Sequence, residues 1–161
     1  MNSSPAKSIF ERGAWYVVIQ AVLIGLILFG PRGLPLVSSE PLITILYSCG
    51  LAVGFLACLV MAIAVINLGK NLTPLPCPKD DAVLILNGLY RFVRHPIYFG
   101  VLLAALAWTL MFPGFYVLIY SICLFFLFDI KARREEVWLV ARFPSYSDYQ
   151  RSVKKLIPGC Y

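Results

Sequence analysis

Residues 42–66 run for 25 positions without one charged side chain. At about 1.5 Å of rise per residue such a stretch makes a helix long enough to cross about 30 Å of hydrocarbon. Three further apolar runs, 14–30, 97–112 and 114–128, come near the lower limit for a span. Only Pro113 separates the last two, and the Pro113-Gly114 pair predicts a tight helical hairpin. With 60% hydrophobic and 14% charged residues and a mean hydropathy of +0.81, the chain is too apolar for a soluble domain of 161 residues. The expectation is an all-α integral membrane protein of one domain. It has about four transmembrane helices, a loop at 67–95 and cytoplasmic helices in a C-terminal segment, 129–161.

The lysines and arginines set the orientation. Lys7 and Arg12 precede the first run, Lys70, Lys79, Arg91 and Arg94 lie between the second and third, and Lys131, Arg133, Arg134, Arg142, Arg151, Lys154 and Lys155 follow the fourth; Arg32 alone falls between the first and second. Alternating loops thus divide the fourteen cations thirteen to one, which predicts both termini in the cytoplasm. This asymmetry accounts for the net charge of +6 without a nucleic-acid partner, and anionic headgroups would be attracted to the same face. No small-residue cleavage site follows the first run, so it reads as a retained helix rather than a signal peptide.

The five cysteines form no C-x-x-C pair, and a single histidine cannot complete a usual zinc site, so no metal is expected. Gly50 and Gly54, continued at the same spacing by Cys58 and Ala62, and Gly100 with Ala104, are small-residue stripes that let helix backbones approach closely. Packing within the chain is favoured over a dimer seam, and the monomer over an oligomer, though the oligomeric state is open.

Polar residues concentrate at one boundary. Gly88 to Gly100 reads G-L-Y-R-F-V-R-H-P-I-Y-F-G, placing the only histidine, two arginines and two tyrosines at the water edge of the third run. Such groups are costly to bury without partners or a ligand. Pro96 suits the first turn of a helix and biases His95 away from helical geometry, so the segment reads as loop, then helix start. The loop before it carries three alternating prolines, then an apolar A-V-L-I-L that must find cover, then an Asn87-Gly88 turn signal. After the fourth run, D-I-K-A-R-R-E-E-V-W-L-V-A-R-F describes an amphipathic helix continuing from the membrane, with Lys131 and Glu135 on one face and Asp129 and Arg133 on another. Pro144 breaks it, and a short helix follows within 146–155.

Taken in order, G-L-Y-R-F-V-R-H-P-I-Y-F-G, R-R-E-E-V-W-L, F-P-S-Y-S-D-Y and V-K-K-L-I-P make residues 67–158 similar to the isoprenylcysteine carboxyl methyltransferase family and its bacterial and phospholipid-methyltransferase relatives. The resemblance implies methyl transfer from S-adenosyl-L-methionine to a membrane lipid or lipidated substrate. It further implies a cofactor site of Ala82, Val83, Leu84, Ile85, Tyr90, Arg94, His95, Pro96, Ile97, Tyr98 and Glu135, with Lys131, Arg134 and Glu136 positioning the substrate. That donor set suits the cofactor: apolar and aromatic walls for adenine, charges for the amino acid end, aromatic faces for the sulfonium. Methyl transfer is governed by positioning and exclusion of water, so no nucleophilic residue is expected.

Lys131 stands where the eukaryotic members of the family carry an arginine that addresses the substrate carboxylate. Lysine keeps the charge without the planar fork. Carboxyl O-methylation of an isoprenylcysteine-like group is favoured over N-methylation of a lipid amine, for which Glu136 is the nearest base. A membrane sterol-type NADPH reductase, which resembles the same C-terminal pattern, and a non-enzymatic membrane bundle are the rival classes. No G-x-G-x-x-G and no alternating strand and helix pattern exists, which excludes a Rossmann-type methyltransferase.

Overall fold

A computed structural model describes residues 13–75 and 82–161. Lys7, Arg12, Cys77 and Lys79, used in the charge and cysteine readings above, lie outside the described residues. Five α-helices follow one another: α1 (Ala14–Phe29), α2 (Glu40–Leu68), α3 (Pro96–Met111), α4 (Phe115–Arg142) and α5 (Tyr146–Ser152). Short 3-10 turns cover Gly69–Asn71 and Gly88–Arg91. Among the described residues there is no strand, only two isolated β-bridges.

The helices start and stop where the local chemistry dictates. Pro96 occupies the first turn of α3 and His95, its N-cap, is non-helical at φ −123° and ψ 67°. Pro113 and Gly114 separate α3 from α4, as the hairpin signal predicts. α4 runs unbroken from the apolar stretch through the charged one and ends at Arg142, before Pro144. Among the described residues two helices, α2 with its 3-10 extension and α4, are long and apolar enough to cross a membrane. α1 and α3 have 16 residues each, about 24 Å at helical rise against about 30 Å of hydrocarbon.

The most extensive helix pair is α2 with α3, and small residues make it. A Cβ on Gly50 would lie 2.6 Å from Met111 Cγ and 2.9 Å from the Ala107 carbonyl oxygen, while one on Gly54 would sit 3.6 Å from Ala107 Cβ. Gly100 faces Met61 and the Ala57 carbonyl in the same seam. The glycine stripe therefore packs within the chain. It does not continue to Cys58, which is exposed, but to Ala57 and Ala64, both fully buried. A helix of 3.6 residues per turn rotates a strict four-residue stripe away from its partner, and the drift carries the seam to neighbouring positions.

The two ends of the bundle differ. At one end the α1–α2 connection meets the α3–α4 turn, with Tyr116 N donating to Arg32 O at 3.1 Å, Leu36 N to Pro113 O at 2.9 Å, and the Arg32 guanidinium 4.2 Å from the centre of the Phe112 ring. At the other end the C-terminal segment docks beside the entry to α3. Arg94 N donates to Lys154 O at 2.8 Å and His95 N to Lys155 O at 3.1 Å. This second end gathers the polar residues.

Candidate active site

A cavity of about 380 Å³ opens at that end, between the start of α3, the middle and C-terminal half of α4, residues 71–74 and 82–85, and α5. One wall is the A-V-L-I-L segment. Asn71 holds it as another strand would: its Nδ2 donates to Val83 O at 2.8 Å and its Oδ1 accepts from Val83 N at 3.1 Å. Asn67 Oδ1 accepts from Leu89 N at 3.0 Å, anchoring the following turn, where Gly88 sits at φ +59°. Ala82, Leu84 and Ile85 of the apolar pentapeptide are partly buried as cavity lining, while Val83 and Leu86 stay exposed.

The opposite wall is aromatic and charged. The rings of His95, Tyr98 and Phe128 stack in sequence, with centroids 5.2 and 4.7 Å apart and planes within 5° of parallel. Tyr98 Oη donates to Glu135 Oε2 at 2.8 Å, and His95 Nδ1 lies 3.6 Å from the same oxygen. Lys131 Nζ stands 5.0 Å from the Tyr98 ring centre and donates to Gln20 Oε1 of α1 at 2.8 Å. Tyr90, Tyr146 and Tyr149 close the remaining side. Burial pushes their phenols well above the usual tyrosine range, so they stand as neutral donors. Tyr149 Oη spends its proton on the Tyr90 carbonyl.

Behind this wall Glu136 ties three segments together. Its Oε1 accepts from Arg94 Nε at 2.6 Å and lies 3.1 Å from His95 Nε2, and its Oε2 accepts from Gln150 Nε2 of α5 at 3.0 Å. Arg94 also donates to the carbonyls of Gln150, at 3.0 Å, and Val153. A buried carboxylate beside a guanidinium is strongly held only when its remaining lone pairs are also satisfied, and here they are.

Of the residues singled out in the sequence, Ala82, Val83, Leu84, Ile85, Tyr90, Arg94, His95, Ile97, Tyr98, Lys131 and Glu135 all line this one cavity. Pro96 is buried behind it as the first residue of α3. Glu136 supports the wall from outside the lining. Arg134 is not brought to the cavity: it is exposed, with its guanidinium 5.0 Å from the centre of the Trp138 ring. Sequence reasoning missed Gln20, Asn71, Tyr146 and Tyr149. Gln20 had a signal, as the one amide in the apolar run of α1. The tyrosines belong to the quoted F-P-S-Y-S-D-Y motif, which carried the resemblance but was given no place in the site.

A sequence model of the isoprenylcysteine carboxyl methyltransferase (ICMT) family matches residues 50–141. The chain is 31% identical over 107 residues to a protein-S-isoprenylcysteine O-methyltransferase of Dictyostelium discoideum, covering 64% of this chain and 45% of that protein. It is 32% identical over 114 residues to one of Schizosaccharomyces pombe, covering 66% and 48%. It therefore spans about half the length of these relatives. Among solved structures, the eukaryotic intramembrane Ras methyltransferase ICMT superposes with a TM-score of 0.66 at 24% identity, over 99% of this chain and 54% of that one, a likeness of fold.

Proposed function

The chain belongs to the isoprenylcysteine carboxyl methyltransferase family, and on that premise we propose that it transfers a methyl group from S-adenosyl-L-methionine to the carboxylate of a membrane-resident, isoprenylcysteine-like acceptor. The observation that carries this reading is the convergence of the 82–85 segment, the His95–Tyr98 aromatic stack and Glu135 on one cavity. At about 380 Å³ it has the size of a small-molecule site. It also offers the chemistry the cofactor needs. Residues 82–85 and Tyr90 give an apolar and aromatic wall for adenine, Glu135 and Arg94 give charges of both signs and His95 a ring nitrogen for the amino acid end, and the Tyr98 face suits a cation. When bound, the cofactor supplies an electrophilic methyl group.

The residues of the chain position and enclose. Pro96 and Ile97 fix the first turn of α3, and with it the directions of His95 and Tyr98. Tyr146, Tyr149 and Phe143 exclude water from the cavity. Lys131 offers a cation to the acceptor carboxylate, and Glu136 acts through Arg94 and His95. For an amine acceptor Glu136 does not serve as the base, since both its oxygens already accept from Arg94 and Gln150; it is the family membership that favours the carboxylate. The family membership likewise favours methyl transfer over reduction or a non-enzymatic bundle. The molecule sits in the bilayer with all four apolar helices crossing and both termini cytoplasmic, α1 and α3 being accommodated by local thinning.

Incubating membranes containing the protein with methyl-labelled S-adenosylmethionine, then treating the extracted lipid product with mild alkali, tests the reading. Carboxyl methyl esters release volatile labelled methanol; label that stays on the lipid through alkali overturns the ester assignment.

A further inference from the structure

Lys131 is a buried ammonium with no acid bonded to it. It is 2% exposed, and its hydrogen bond among the described residues goes to a neutral group, the Gln20 amide oxygen. Its other neighbours are the faces of Tyr98 and Phe128, with ring centres at 5.0 and 5.9 Å. Glu135, the acid one turn on, acts on it through space but forms no ion pair with it, and accepts from the Tyr98 hydroxyl at 2.8 Å. Burying a charge is costly unless it is paired, and a Gln satisfies one of the three ammonium donors without cancelling the charge. Both Gln20 and Lys131 line the cavity.

We infer that Gln20 is a specificity-determining positioning residue: as a neutral tether reaching from α1 it holds the Lys131 ammonium at the cavity wall without an ion-pair partner, so that the site selects an acceptor bearing a carboxylate over its uncharged counterpart. A glutamate at position 20 would have the same reach and would neutralise the cation. This inference rests on the methyl-transfer reading above, and concerns how the acceptor is chosen.

The test uses the full chain in detergent. S-adenosylhomocysteine binding is measured by calorimetry, and kinetics with an S-prenylated cysteine derivative carrying a free carboxylate, its carboxamide serving as competitor. The parent binds the carboxylate about tenfold more tightly than the carboxamide. Gln20→Glu raises KM for the carboxylate about tenfold with little change in kcat, the signature of lost uniform binding, and erases the preference. Gln20→Met, which removes the tether without adding an acid, lowers the preference about threefold, an effect intermediate between the parent and Gln20→Glu. In a Lys131→Met background Gln20→Met changes discrimination no further, an epistasis that a merely structural role for Gln20 would not produce. A Gln20→Glu protein with parental KM and preference overturns the inference and leaves methyl transfer standing. If Gln20→Glu fails to bind S-adenosylhomocysteine, Gln20→Met decides, and an undiminished preference there overturns it. A parent that neither binds S-adenosylhomocysteine nor labels the acceptor overturns the methyl-transfer reading itself, and the inference with it.

Discussion

Glu135 and Glu136 are adjacent in sequence and do different work. Successive residues on a helix point about 100° apart, so one faces the cavity and the other faces away from it toward α5. Glu136 is 7% exposed and bonded to Arg94 and Gln150, joining the entry of α3 to α5. Removing its charge leaves Arg94 uncompensated in a buried setting. Glu136→Gln should therefore lower stability in detergent by about 3 to 5 kcal/mol, measured by thermal or denaturant unfolding. Glu135→Gln and Tyr98→Phe should instead leave the unfolding transition near the parent's and weaken S-adenosylhomocysteine binding by about 2 to 5 kcal/mol, the cost of removing one partner from a desolvated polar contact. If Glu135→Gln unfolded the protein and Glu136→Gln only lost ligand, the division of roles would be reversed.

At the scale of elements, stability rests on how closely α2 and α3 approach. Gly50 has no room for a side chain against Met111 and Ala107, whereas Gly25 in α1 has nothing within 4 Å of its Cβ position. Gly50→Leu should cost about 1 to 3 kcal/mol through overpacking, while Gly25→Ala should be neutral or stabilise by about 0.5 to 1 kcal/mol. Thermal melts of the two variants check this, and equal melting temperatures would contradict the seam. The elements themselves were legible because their signals are local: proline at the start of α3, Pro113-Gly114 at the hairpin, and an amphipathic pattern that carries α4 past its apolar half. The site was legible only where its residues fall in two dense motifs. The Gln20–Lys131 bond joins residues 111 apart and the Asn71–Val83 clamp residues 12 apart. Periodicity within one chain reports which face a residue occupies, not which distant residue it meets. The same limit hid the drift of the glycine seam from Cys58 to Ala57.

For the whole molecule, charge and architecture agree on a polarity that neither requires alone. The Arg32 loop and the α3–α4 turn share one end, bonded through Tyr116 N and Leu36 N. The α2–α3 connection with Lys70, the Arg94–Glu136 pair and α5 share the other, which also holds the cavity. Between the ends the outward surface is apolar, with Phe55 at 69%, Ile66 at 76% and Phe126 at 58% exposed, as suits side chains in contact with lipid rather than water. Thirteen of fourteen cations fall in segments assigned to the cavity side, so the positive-inside rule predicts that this side faces the cytoplasm. Single cysteines placed at positions 32, 70 and 151 on a cysteine-free background test the orientation, since all three native residues are exposed. An impermeant maleimide applied to intact cells should label position 32 alone, with 70 and 151 reacting only after permeabilisation. Labelling of 70 and 151 but not 32 in intact cells would invert the topology. It would also place the cavity on the side away from cytoplasmic S-adenosylmethionine, so the orientation and the proposed activity stand or fall on the same experiment.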